Sequence, residues 1–322
     1  MQPASSCAAA EFRRQVHARL GSETVRALHR PSAVLDVLLA VAPVAVFLAC
    51  FWAAGLDRLH WSAKAALSLV GGWALHAIGL AAHDLYTHRR RGGTAGRAFV
   101  ACAVALYGGK LSAYSAIHYR HHALLGEPGD PEQFMARLDT WWKRAVFATY
   151  PGLALETGRG LLSGCGTYGA DVMATLPPEQ ARSVQREKRL AAMVFAGMLV
   201  YACFEPGRVL WGWAVPLMVV APVLISLRVT LEHADADSAH AAWGGTHYRG
   251  GWITRVVYLA GSGDCHQVHH LFPRIPCYRM PRAVRLVAPL FAEAGVPQRR
   301  SFWALQKAWF VRVLAHRTPW QL

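Results

Sequence analysis

Eight of the 16 histidines in this chain fall into three short groups: His83 and His88 in HDLYTH, His118, His121 and His122 in HYRHH, and His266, His269 and His270 in HQVHH. A ninth, His233, follows Glu232. On a helix, positions i, i+3 and i+4 share a face, so each HxxHH group turns three imidazoles toward one point. A lone histidine on an apolar face is more often a core residue satisfied by one hydrogen bond. Packing gives no reason to build a triple cluster twice, because imidazoles repel when protonated and lose hydration when buried. Metal binding does give one, since neutral imidazole suits iron, copper, nickel and zinc. A zinc site takes about four protein ligands, and two ions with about four or five nitrogens each would use the whole set. Few carboxylates accompany the groups, unlike the Glu-rich di-metal sites of soluble helical bundles.

The elements that must carry these residues are membrane helices. Of the 322 residues, 54% are hydrophobic and only 16% are charged, against roughly one quarter charged in soluble domains. A bilayer core needs about 20 apolar residues in helical form. Four stretches are expected to span it: Ala33–Gly55, Ala65–Ala82, Leu190–Phe204 and Val209–Leu227. The third is short, and the polar turn Glu205-Pro206-Gly207-Arg208 hands it to the fourth. Ala98–Ala116 and Ala145–Leu162 are apolar but carry Lys110, or Glu156 and Arg159, so they are expected at the membrane surface or against the protein.

Net charge is +15, with arginines beside apolar runs, as at Arg89, Arg90 and Arg91. No nucleic-acid-binding module is recognisable, and the positive-inside rule accounts for the arginines. The basic N-terminal segment, the Arg89–Arg91 run and the Arg182–Arg189 region are then expected in the cytoplasm, of a bacterial inner membrane on this reading. With four spans, all the histidine groups fall on that side. The 7 cysteines form no CxxC pair, which fits a reduced compartment and argues against a disulfide framework or zinc ribbon. Residues 1–30 lack the short apolar core of a signal peptide, so the first apolar run is expected to be a retained span. The expected fold is all-α: about four transmembrane helices and a cytoplasmic helical cap holding a His-rich di-metal site. Its divisions are a cytoplasmic N-terminal segment (1–32), a membrane domain (33–282) and an amphipathic C-terminal segment (283–322). Within the last, Arg282–Leu322 with Trp303, Trp309 and Trp320 reads either as an interfacial helix or as an ordinary packed one.

HxxxxH, HxxHH and a late HxxHH, separated by apolar spans, resemble the membrane fatty acid desaturase superfamily, which also includes carotenoid hydroxylases and ketolases. HYRHHALLGEPGDP (His118–Pro131), LRVTLEH (Leu227–His233) and HHLFPRIPCYRMP (His269–Pro281) are similar to further family stretches. The resemblance covers roughly Leu67 to Arg282. It implies a di-iron centre held by His83, His88, His118, His121, His122, His233, His266, His269 and His270, with O2 as co-substrate. Where many relatives have Asn two residues before the last box, this chain has Asp264. Asp84, Glu232 and Asp264 are candidates to hydrogen-bond the ligands, because metal-bound imidazole usually donates its other N–H to a carboxylate or carbonyl. Asp130-Pro131 reads as a loop brace, and His240 and His247 as surface residues.

The resemblance implies oxygen-dependent desaturation of a fatty acyl chain presented by a membrane lipid or an acyl carrier. The chain has no flavin or dinucleotide fingerprint, so a separate ferredoxin-like electron donor is expected. Two alternatives remain open at this point. One is a carotenoid ring ketolase or hydroxylase, or another lipid hydroxylase, of the same superfamily. The other is a metal transporter, although transporters place ionisable ligands near the bilayer midplane and these boxes fall at helix ends.

Overall fold

The computed structural model of the chain describes residues 4–89, 92–124, 130–131, 173–233, 247–248, 256, 266–295, 298–299, 303 and 307. These residues form two compact units. One comprises Met1–Ser32, His118–Thr149 and Ser226–Leu322, and the other Ala33–Ile117 and Tyr150–Ile225. The architecture is all-helical, as expected, apart from a two-residue parallel pairing of β1 (His247–Tyr248) with β2 (Gln298–Arg299).

The unit built on Ala33–Ile117 and Tyr150–Ile225 holds the apolar helices. They are α3 (Ala33–Ala54), α4 (Trp61–Ala82), α5 (Gly93–Ala105), the first half of α6 (Leu111–Leu124), α7 (Pro178–Ala202) and α8 (Pro206–Val209). Two π-helical turns, Leu210–Ala214 and Pro216–Val220, prolong α8 toward α9 (Ala221–His233). Phe47, Leu75, Ile78, Val104, Trp213 and Leu217 lie in the core of this unit. The close approach of α3 to the first π turn depends on Gly212, because a Cβ there would lie 2.9 Å from Phe51 Cα. Three stretches are long and apolar enough to cross a membrane: Ser22–Ala54, Trp61–His88 and Pro206–Ile225. Their surfaces expose Val37, Leu38, Trp52, Leu69, Leu210 and Val219, as lipid contact requires. These correspond to three of the four expected spans. The fourth, Leu190–Phe204, enters the second half of α7, whose first half carries Arg182, Arg186, Glu187, Lys188 and Arg189. Its apolar run from Leu190 to Ala202 falls short of the roughly 20 residues that span a bilayer core unaided.

The stretch Ala98–Ala116, expected at the membrane surface or against the protein, is two helices, because the chain turns through Gly108 (φ 74°) between α5 and α6. The N-terminus of α6 is capped from a distance. The Ser112 backbone N–H and hydroxyl both donate to the buried Glu187 carboxylate, at 2.8 and 2.6 Å, and Arg97 donates to the same hydroxyl at 2.8 Å. This satisfies one of the amides that a helix start leaves unpaired. Ala145–Leu162 lies outside the described residues.

Arg89 departs from the role its sequence context suggests. Its side chain is 5% exposed and pairs with Asp36 in the first turn of α3 (2.8 Å) and with Asp84. Burial opposes the charge, but the two carboxylates outweigh it and hold the guanidinium well above its ordinary pKa. This arginine is therefore an internal clamp, not a charge facing lipid headgroups.

The other unit packs α1 (Ala4–Leu20) and α2 (Ser22–His29) with α10 (His266–Leu271) and α11 (Met280–Glu293). Phe12, Val16, Leu28, Leu271, Ile275, Val284, Val287 and Phe291 form its core, with Phe12 stacked on Phe291 at 5.4 Å. The apolar face of α11, with Met280, Ala283, Val284, Val287, Leu290 and Phe291, is thus buried against protein. In the closing motif, the Tyr278 phenol oxygen accepts from the Ser32 N–H at 2.7 Å. Trp303 is exposed, while Trp309 and Trp320 lie outside the described residues.

Removing the Arg89 guanidinium leaves two buried carboxylates facing each other. Arg89→Ala is expected to cost about 3–5 kcal/mol, measured as the loss of unfolding free energy in detergent. A cost below about 1 kcal/mol would mean the clamp is solvated.

Candidate metal centre

In the unit that contains α10, six histidines come together. His118, His121 and His122 occupy the second half of α6, and His266, His269 and His270 all lie in α10. Helical spacing aligns each trio, and the two trios meet ring to ring. His122 stacks on His270 with centroids 4.3 Å apart, while His121 meets His270 at 5.1 Å and His122 meets His269 at 5.0 Å. All except the half-buried His122 are buried. Ligand nitrogens of His121, His266 and His270 lie within 4.8 Å of one another.

The nitrogen separations test whether a metal fits. Nε2 of His122 lies 2.9 Å from Nε2 of His118, and Nε2 of His270 lies 2.9 Å from Nε2 of His266. Two nitrogens bound at about 2.1 Å to one ion, at right angles, would sit about 3.0 Å apart. Two neutral imidazoles can share such a contact only if one supplies a proton, and repeating it invites a common cation. The donor set therefore fits a transition metal that accepts imidazole.

Two carboxylates support the rings. The His121 Nδ1–H donates to Asp130, with its oxygens at 2.9 and 3.0 Å, which fixes the tautomer that leaves the lone pair on Nε2, the form that could ligate a metal. Glu232, 3% exposed, accepts from Arg228 Nε at 2.7 Å and lies 3.6 Å from His266 Nδ1. That second distance is electrostatic contact and too long for a hydrogen bond. Glu232 thus stands beside a box histidine while its carboxylate accepts the hydrogen bond from Arg228. Asp130 does more than the loop brace read from sequence, and its signal was the DP pair downstream of HYRHH.

In the other unit, His83 and His88 face each other across 3.1 Å, Nε2 to Nε2. In an α-helix, residues five apart point about 140° away from each other. Here His83–His88 is π-helical, and its i→i+5 bonding brings the fifth residue back above the first. The π turn is thus the local device that brings the two rings of HxxxxH together. Thr87 and Ser115 hydroxyls meet at 2.9 Å beside it. Asp84, expected near a ligand, binds Arg89. His233 ends α9, and Asp264 and His240 lie outside the described residues.

His270 titrates well below the ordinary imidazole range. Burial is the main cause, and His122, His266, His121 and His269 add to it. The unfolded chain protonates this ring near pH 6.5, while the folded chain resists. The metal-free fold should therefore keep this contribution above that pH and lose it as pH falls below. Melting of metal-free protein is expected to drop between about pH 7 and pH 5, with a smaller drop in His270→Gln; a flat profile contradicts the reading. Asp130→Asn should weaken metal retention about 10–100-fold, measured by competition with a chelator. Unchanged retention would reduce Asp130 to a loop brace.

A family model for "Fatty acid desaturase" matches residues 59–302, a range that takes in all three histidine boxes. No individual curated protein matches the chain. The match covers well over half of the sequence, and the buried imidazole trios and apolar helices are what such a protein requires. The chain belongs to the fatty acid desaturase family of membrane oxidoreductases, which act as desaturase- and hydroxylase-type lipid oxygenases.

Proposed function

We propose that the protein is an O2-dependent fatty acyl desaturase that introduces a C=C bond by means of two irons. The observation that carries this is the meeting of the two HxxHH trios, with Nε2 pairs at 2.9 Å, in a chain of this family. All nine histidines are assigned as ligands: His83, His88, His118, His121, His122, His233, His266, His269 and His270. Four spans and a cytoplasmic helical cap complete the proposed arrangement, with α7 supplying the fourth span.

An unactivated methylene has no acidic proton, so acid–base chemistry alone cannot break its C–H bonds. Iron held at the boxes would supply the redox chemistry with O2. In the balance, a CH2–CH2 pair loses two hydrogens, a separate donor gives two electrons, and with two protons O2 leaves as two waters. The protein's residues hold ligands in one tautomer, as Asp130 does for His121, keep His270 neutral by burial, and exclude water. Electrons come from a separate carrier of the ferredoxin type, whose acidic surface suits a basic cytoplasmic face. The substrate is an acyl chain on a membrane lipid or carrier. Desaturation is preferred to oxygen insertion because HHLFPRIPCYRMP follows the acyl-desaturase form of the closing motif.

Expression in a host that contains both acyl lipids and carotenoids, followed by mass spectrometry, tests the reading. New acyl double bonds that require oxygen are expected, falling more than about 100-fold in His270→Ala. Hydroxylated or keto products without new double bonds would overturn desaturation in favour of oxygen insertion.

A further inference from the structure

The exposed face of α7 runs without interruption from charge into oil. Arg182, Arg186, Arg189, Met193, Ala196 and Val200 are all exposed and follow one another in steps of four and three residues. At 100° per residue they fall within an arc of about 80°. The buried residues Val184, Glu187 and Ala191 sit about 140–200° around the helix from that stripe. One side of α7 is therefore held by protein, with Glu187 engaged at Ser112, and the other is open along its length.

Met193 and Val200 are 64% and 63% exposed, which in a membrane protein of this family means contact with lipid. Arg189 stands about 6 Å along the axis from Met193, and Arg182 about 10 Å further. The headgroup layer is about 5–8 Å thick on each side of the hydrocarbon, and arginine stems reach several ångströms more. No carboxylate pairs with these three arginines among the described residues. We propose that Arg182, Arg186 and Arg189 bind the phosphate groups of anionic phospholipids where α7 enters the bilayer. An acidic soluble protein fits the charge less well, because Arg189 lies one turn from the lipid-facing Met193, at a depth such a partner does not reach. The inference rests on the membrane placement of α7 and not on iron chemistry.

The test uses full-length protein in detergent. Native mass spectrometry follows titration with phosphatidylglycerol against phosphatidylcholine, for wild type and for the combined R182Q/R186Q/R189Q variant. Each arginine near an anionic surface is worth about fivefold, so the variant should lose roughly 100-fold in phosphatidylglycerol affinity. Phosphatidylcholine binding and iron content should be unchanged. The combined R182K/R186K/R189K variant should retain most of the affinity, and added salt should erase the preference in wild type. Equal phosphatidylglycerol binding by wild type and the glutamine variant overturns the proposal. So does a glutamine variant that keeps its lipid preference but loses association with an acidic electron carrier. Absence of iron from every variant, with the lipid preference intact, would instead count against the proposed enzyme chemistry alone.

Discussion

Burying imidazole beside imidazole costs solvation for every ring, and a shared N–H···N bond satisfies one lone pair where a cation would take several. Six rings are gathered in one unit, five of them buried and the sixth half-buried, with nitrogens as close as 2.9 Å. Burial, with His122, His266, His121 and His269 beside it, pushes His270 away from the protonated state. Neutral rings with opposed lone pairs make a poor core and a good ligand set. Much else in the described structure answers to this constraint. Asp130 fixes a tautomer, Glu232 sets negative potential beside His266, and α10 is entirely buried.

The helices that carry the rings are anchored by polar contacts too specific to be incidental. The start of α6 is capped by Glu187 and Arg97 through Ser112. The π turn that pairs His83 with His88 ends at Arg89, which is clamped between Asp36 and Asp84. Such buried pairs add little net stability over an apolar core, but they punish any arrangement that separates them. That asymmetry suits a chain that must hold ligand geometry in an oily surrounding, where nonspecific packing discriminates weakly.

Much of this was legible in the sequence because helical spacing is local. HYRHH and HQVHH gave the two trios directly, and hydropathy gave three of the candidate spans. What stayed hidden depends on partners far along the chain or on backbone departures from the α-helix. HDLYTH looked like a helix end, and nothing in its residue types announces a π turn. Arg89 sat in an RRR run and read as a membrane-facing charge, because Asp36 is remote in sequence. Asp130 read as a turn or loop brace, and its contact with His121 is visible only in the folded chain. The third expected span was marginal by length from the start. The structure shows why: α7 joins a charged half, with its own buried glutamate, to an apolar half. The family match leaves a metal-transport role without support.

The proposed function requires these imidazoles to hold a pair of irons. The most direct measurement is the metal content of protein purified without added metal, combined with X-ray absorption at the iron edge. About two irons per chain are expected in a nitrogen-rich shell, with Fe–N distances of about 2.1 Å. Protein that carries no transition metal, or iron coordinated mainly by oxygen or sulfur, would contradict the proposed function.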